Sequence, residues 1–129
     1  MSTRSFARYS ETYHDDNRTH EVDERRLTVT RLAAQNRRFE GTGGVSGENR
    51  TLGFLPAFAD ICTGAVYLSR FADGRLAPMH LLEGLPEKIV EQRGSGGRIT
   101  MIKDSVIAGF VRDGQFYTRE QAARVATKH

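Results

Sequence analysis

The sequence predicts an α+β domain: an N-terminal amphipathic helix packed on a mainly antiparallel sheet of hairpins, closed by a short capped C-terminal helix. Three observations carry that expectation. Residues 21–40 place apolar side chains at helical spacing. Asp73-Gly74 and Asp113-Gly114 lie where hairpin turns belong. Thr118 and Gln121 have the spacing of a capping box, in which a hydroxyl accepts from an early amide while the glutamine reaches back.

Residues 1–20 form a polar, flexible arm, and 21–129 a single domain. The arm's apolar content is Phe6, Ala7, Tyr9 and Tyr13. Phe6, Tyr9 and Tyr13 would share one helix face with Arg4 and Arg8 among them, a pattern suited to ordering on a nucleic acid or a protein groove. A frayed tail is the plainer expectation.

The first helix is expected from Glu21 to Glu40, with Val22, Val29, Leu32, Ala33 and Phe39 in one stripe and Leu27 off it. Glu21, Asp23 and Glu24 at its start and Arg37 and Arg38 at its end complement the helix dipole, and Gly41 stops it. Arg26 and Arg37 share one flank; Arg31 and Arg38 share the other. Arg25 and Asn36 project near the apolar stripe, where they either cap the core or meet a partner.

Residues 41–50, GTGGVSGENR, read as a flexible glycine-rich connector. Ser46 stands where a dinucleotide fingerprint wants its third glycine, and no GK[ST] follows. No clear helix opens after the loop, so the dipole of an anion-binding loop is missing. Leu52–Phe58 suggests a strand broken near Pro56, at an edge or bulge. Residues 65–70 alternate as its hairpin partner, and residues 79–82, MHLL, are expected as a third short strand. Pro86 opens a brief helix through about Gln92. Residues 93–97 are a loop, 98–103 and 105–112 strands, and 115–117 the return strand. Ala122, Val125 and Ala126 give the last helix a narrow apolar face.

Composition limits the functional classes. The chain has 129 residues, 38% of them hydrophobic, enough for one modest core. No apolar run reaches the length of a membrane span, since Pro56, Asp60 and Gly64 interrupt the greasiest stretch. The N-terminus lacks the apolar core of a signal peptide. The single cysteine, Cys62, makes neither an internal disulfide nor a zinc site alone. A cytoplasmic location is the simplest expectation. The net charge of +3 is mild, yet arginine supplies 16 of the 19 basic residues. Arginine favours planar, bidentate contacts with anions, although a GC-rich genome produces the same bias.

Catalytic sets are thin. Cys62 and His80 are a conceivable nucleophile–base pair, but a lone cysteine beside Ile61 is ordinarily a small buried hydrophobe. His80 and Glu83, with Arg70 and Arg75 upstream, offer an acid/base site of the type small ribonucleases use without metal. Against that, His80 is the one usable histidine of the domain and is ordinarily a structural hydrogen-bonder. His14, Asp15, Asp16, His20, Glu21 and Asp23 are a dense set of N/O groups that matches no recognised metal site. Neither a metal nor a cofactor is expected.

The segments PAFADICTGAVYLSRFADGRLAPMHLLEGLP and AGFVRDGQFYTREQAARVA resemble small uncharacterised proteins of proteobacterial chromosomes and mobile elements, over about residues 45–127. The resemblance implies a bacterial cytoplasmic setting and brings no functional residues with it.

The function these features predict is a non-enzymatic interaction or regulatory module. It would bind a protein or nucleic-acid partner through Arg26, Arg31, Arg37 and Arg38. The alternative is a small metal-independent nuclease-like enzyme centred on His80, with Glu83 and Arg70. A homodimer is a further expectation, because exposed strand edges need covering.

Overall fold

Thr28, not an acidic residue, caps the first helix among the described residues. In the computed structural model, which describes residues 27–128, helix α1 spans Val29–Arg38 and the Thr28 hydroxyl accepts from the Arg31 N–H at 3.0 Å. Residues 27 and 28 are extended instead of helical. Leu27 accepts from the Ile102 N–H, and Thr28 bridges Met101. The helix therefore begins at Val29 and not before the extended residues 27 and 28, residues 21–26 of the expected span lying outside the described residues, and no acidic residue lies in its first turn. Arg37 and Arg38 do occupy its last turn. Leu32 and Phe39 are buried as expected, but Val29 is 55% exposed and the off-stripe Leu27 is buried.

The glycine-rich segment is more built than a flexible connector. A short helical turn, α2 (Ser46–Asn49), forms within it. The Glu48 carboxylate accepts from the Gly41 and Gly43 N–H groups at 2.7 and 2.9 Å, and buried Asn49 donates to the Gly43 carbonyl.

Strand β1 (Leu55–Asp60) lies inside a four-stranded antiparallel sheet of order β2-β1-β5-β6, where β2 is Val66–Leu68, β5 Val106–Arg112 and β6 Gln115–Thr118. Pro56 thus sits in an interior strand and not at an edge. A local exchange of partners makes this tolerable. The Ser69 N–H donates to the Pro56 carbonyl, and the Ser69 carbonyl, which proline cannot serve, accepts from the Ala77 N–H. Asp60 closes the β1–β2 turn by accepting from the Cys62 N–H at 3.0 Å. Burial would raise its pKa, but hydrogen bonds and the nearby Lys103 charge hold the carboxyl below its usual value.

Residues 79–82 are not a strand. Ser69 is buried and its hydroxyl donates to the Met79 carbonyl and accepts from the Leu81 N–H, both at 2.8 Å, which pins this loop by side chain instead of by a ladder. After Pro86 comes a single 3-10 turn (Glu87–Ile89). Strands β3 (Val90–Arg93) and β4 (Ile99–Ile102) then form a separate antiparallel pair. Asp113 and Gly114, with φ of 54° and 77°, make the β5–β6 turn with both central residues left-handed, as a primed hairpin requires. Helix α3 (Arg119–Thr127) carries the expected capping box at Thr118 and Gln121.

The fold is α+β, with α1 and α3 against antiparallel strands. Its main core joins Leu27, Leu32, Phe58, Ile89, Ile102 and Val106; a smaller one joins Phe54, Phe110 and Ala122. No described helix is long and apolar enough to cross a membrane.

Candidate functional site

Between the two cores lies a buried polar pair. His80 and Arg119 are both largely inaccessible, Arg119 being 3% exposed although it is the first residue of α3. The Arg119 guanidinium donates through Nη1 to the Gly44 carbonyl at 2.9 Å and through Nη2 to His80 Nδ1 at 3.2 Å. His80 Nε2 donates to the Gly109 carbonyl at 2.7 Å. These partners fix the tautomer, because arginine can only donate and a carbonyl can only accept. The imidazole stands edge-on between Phe58 and Phe110. Burial, and then the Arg119 charge, lower its pKa to about 4. Burial likewise lowers Arg119 to about 10, with Glu120 opposing the shift, and the group stays a cation at neutral pH. Its Nε is buried without a partner.

This arrangement leaves His80 little scope as a general base, since both ring nitrogens are engaged within the protein. Glu83 is exposed and accepts from the Ala72 N–H, and Arg70 donates to the Gly74 carbonyl across the Asp73-Gly74 turn. His80 and Glu83 line one side of a groove of about 670 Å³ beside Val29, Ala33 and Asn36 of α1; Arg70 does not. Asn36 therefore faces an open groove. Cys62 is exposed in the β1–β2 turn and is not the buried small hydrophobe its neighbours suggest. Arg26 and the set His14, Asp15, Asp16, His20, Glu21 and Asp23 fall outside the described residues, as does the aromatic arm. Among the described residues no group of three or more metal-ligating side chains gathers.

The arginines of α1 divide by flank, as the helical wheel requires. Arg31, Gln35 and Arg38 line a second cleft, of about 250 Å³, facing Val106–Ala108 of β5 and the start of α3. Arg119 lines it too, and Glu120 is the one carboxylate among its described lining residues. Arg38 also stacks on the Phe39 ring, 5.1 Å from its centre. Arg37 is exposed and lies outside this cleft. Of the three arginines lining this cleft, sequence reasoning named Arg31 and Arg38 and did not name Arg119. The available signal was an arginine directly after the cap residue Thr118, a helix start that normally favours acids.

No protein-family model, curated protein or solved structure matches this chain.

Proposed function

We propose that the protein is a non-enzymatic interaction module that takes an acidic side chain of a protein partner into the cleft between α1 and α3. The observation that carries this reading is that Arg31 and Arg38 line one cleft, with the buried charge of Arg119 behind it. The N-terminal end of α3 adds to the positive potential there. The floor, which includes Leu27, Phe39 and Val106, is apolar and suits the methylenes of a glutamate or a neighbouring apolar residue. A nucleic-acid backbone would call for an extended basic track, and the cleft is instead confined.

Native mass spectrometry of the protein isolated from its own host tests the reading, with wild type beside an Arg31→Glu/Arg38→Glu variant and an Arg37→Glu control. The expected result is a protein partner retained by wild type and the control but lost from the double variant. A partner kept by all three would overturn the site. A salt-labile nucleic acid in its place would overturn the partner class.

A further inference from the structure

The groove beside Asn36 is separate from the arginine cleft. It runs between α1, the loop carrying residues 80–83, and the turn that joins β3 to β4. Val29, Leu32, Ala33 and Asn36 reach it at spacings of three and four, so it occupies the flank of α1 opposite Arg31, Gln35 and Arg38. Leu32, Leu82 and Ile99 close its floor and are already buried. Its open apolar surface is Val29, 55% exposed, with exposed Ala33 and Ala72 and half-buried Leu81. A volume of about 670 Å³ is that of a small-molecule site.

The polar groups on this groove differ in how far the protein already satisfies them. Arg93 donates to the Gly97 carbonyl and pairs with Glu87. His80 has both ring nitrogens engaged. Arg98 is exposed and makes no side-chain hydrogen bond or ion pair among the described residues. The Asn36 amide is likewise exposed and unengaged among them. Glu83 uses one oxygen on the Ala72 N–H, at 3.3 Å, and keeps the other. Glu83 and Arg98 thus line one groove with opposite charges that do not pair with each other.

We infer that the groove binds a short apolar peptide of the dipeptide class as its zwitterion. Arg98 takes the carboxylate, Glu83 the ammonium, and the walls at Val29, Ala33, Ala72 and Leu81 take the side chains. A ligand of one sign would leave Glu83 or Arg98 unanswered, and a neutral apolar ligand would leave both. A free amino acid carries its two charges on one carbon, whereas this acid and this base come from separate loops and do not meet. The Asn36 amide offers a donor and an acceptor, which suits a peptide group between the two ends. Gly96 and Gly97 leave the Arg98 rim open, since a Cβ at either would meet nothing within 4 Å. Exposed ion pairs contribute little, so a dissociation constant on the order of 0.1–1 mM is expected. The groove uses none of Arg31, Arg38 and Arg119, so Arg31→Glu/Arg38→Glu should leave it intact.

Amide NMR titration of the full chain with leucyl-leucine tests the inference, and should give saturable shifts at Val29, Ala33, Asn36 and residues 96–98. Arg98→Ala should weaken leucyl-leucine and N-acetyl-leucyl-leucine by about two- to fivefold. It should not affect leucyl-leucinamide, which lacks the carboxylate. Glu83→Gln keeps an oxygen for the Ala72 N–H, and should weaken leucyl-leucine and leucyl-leucinamide but not the acetylated peptide, which lacks the ammonium. Both sites are exposed, so the fold should survive each change. Arg37→Ala, on α1 but outside the groove, should change nothing. No saturable shift up to about 10 mM peptide, well above the expected constant, would overturn the inference. So would binding indifferent to which charge the peptide or the protein lacks, or glycyl-glycine binding as tightly as leucyl-leucine.

Discussion

Arg119 donates to His80 Nδ1 from within the protein, so a cation and a neutral imidazole share one buried site, and among the described residues no carboxylate is hydrogen-bonded to either. Each restrains the other's chemistry. The cation disfavours protonation of the ring, and the ring supplies one of the few acceptors the cation has.

This pair sets a pH dependence. His80 holds its proton only below about pH 4 when folded, against about 6.5 for an unfolded chain. Between those values the unfolded state binds the extra proton. The contribution is therefore full above about pH 6.5 and is lost progressively as pH falls to about 4, by about 3 kcal/mol. Urea unfolding across that range should show the slope, and His80→Gln should flatten it. The depressed carboxyl of Asp60 acts in a lower window, its contribution present above the usual aspartate pKa and lost as pH falls through the lowered value.

Arg119→Met removes a charge and two hydrogen bonds together. Two buried acceptors, Gly44 O and His80 Nδ1, lose their donor at about 1–3 kcal/mol each. Relief from burying a guanidinium offsets much of this, since a pKa held at about 10 corresponds to a penalty of about 3 kcal/mol. The expected net change is within about 2 kcal/mol. The clearer readout is NMR titration of the His80 ring, whose pKa should rise from about 4 while burial keeps it below the ordinary value.

Glu48→Gln should loosen the segment between α1 and β1. One carboxylate serves two backbone N–H groups, and an amide offers a single oxygen and turns a donor toward the other. A loss of about 1–2 kcal/mol is expected, with faster hydrogen exchange at Gly41 and Gly43 than elsewhere.

Gly109→Ala should be severe. A Cβ there would come 2.3 Å from the Tyr117 carbonyl and 2.4 Å from Phe116 Cζ, so strands β5 and β6 would have to part. A cost of about 3 kcal/mol is expected by thermal or urea denaturation. Adding Phe116→Ala should recover only part of it, because the backbone carbonyl remains in the way.

What the sequence made legible depended on how far apart the interacting groups lie. The Thr118–Gln121 box and the Asp113-Gly114 turn were readable because donor, acceptor and backbone preference all sit within a few residues. The start of α1 was not, because pairing of residues 27 and 28 with β4 overrides a helical period that runs through them. Residues 79–82 read as a strand by composition, yet a single buried hydroxyl on Ser69 holds them as a loop. Arg119 is the sharpest case. Its partners are 39 and 75 residues away in the chain, and the one local sign, an arginine at a helix start that favours acids, does not say what it is buried against. Arg31 and Arg38 were placed on one flank by the wheel alone, but the cleft they line needs β5 and α3 to exist.

The exchange of partners around Pro56 also governs how the sheet meets other chains. Strand β2 is three residues long, and the carbonyl that follows it is taken by Ala77 from the same molecule. An incoming strand finds a short run to template on, and a neighbouring segment already in place where the run would continue. Runaway strand addition of the kind that seeds fibrils is discouraged at this edge, and a residue that cannot donate a hydrogen bond becomes part of the protein's solubility.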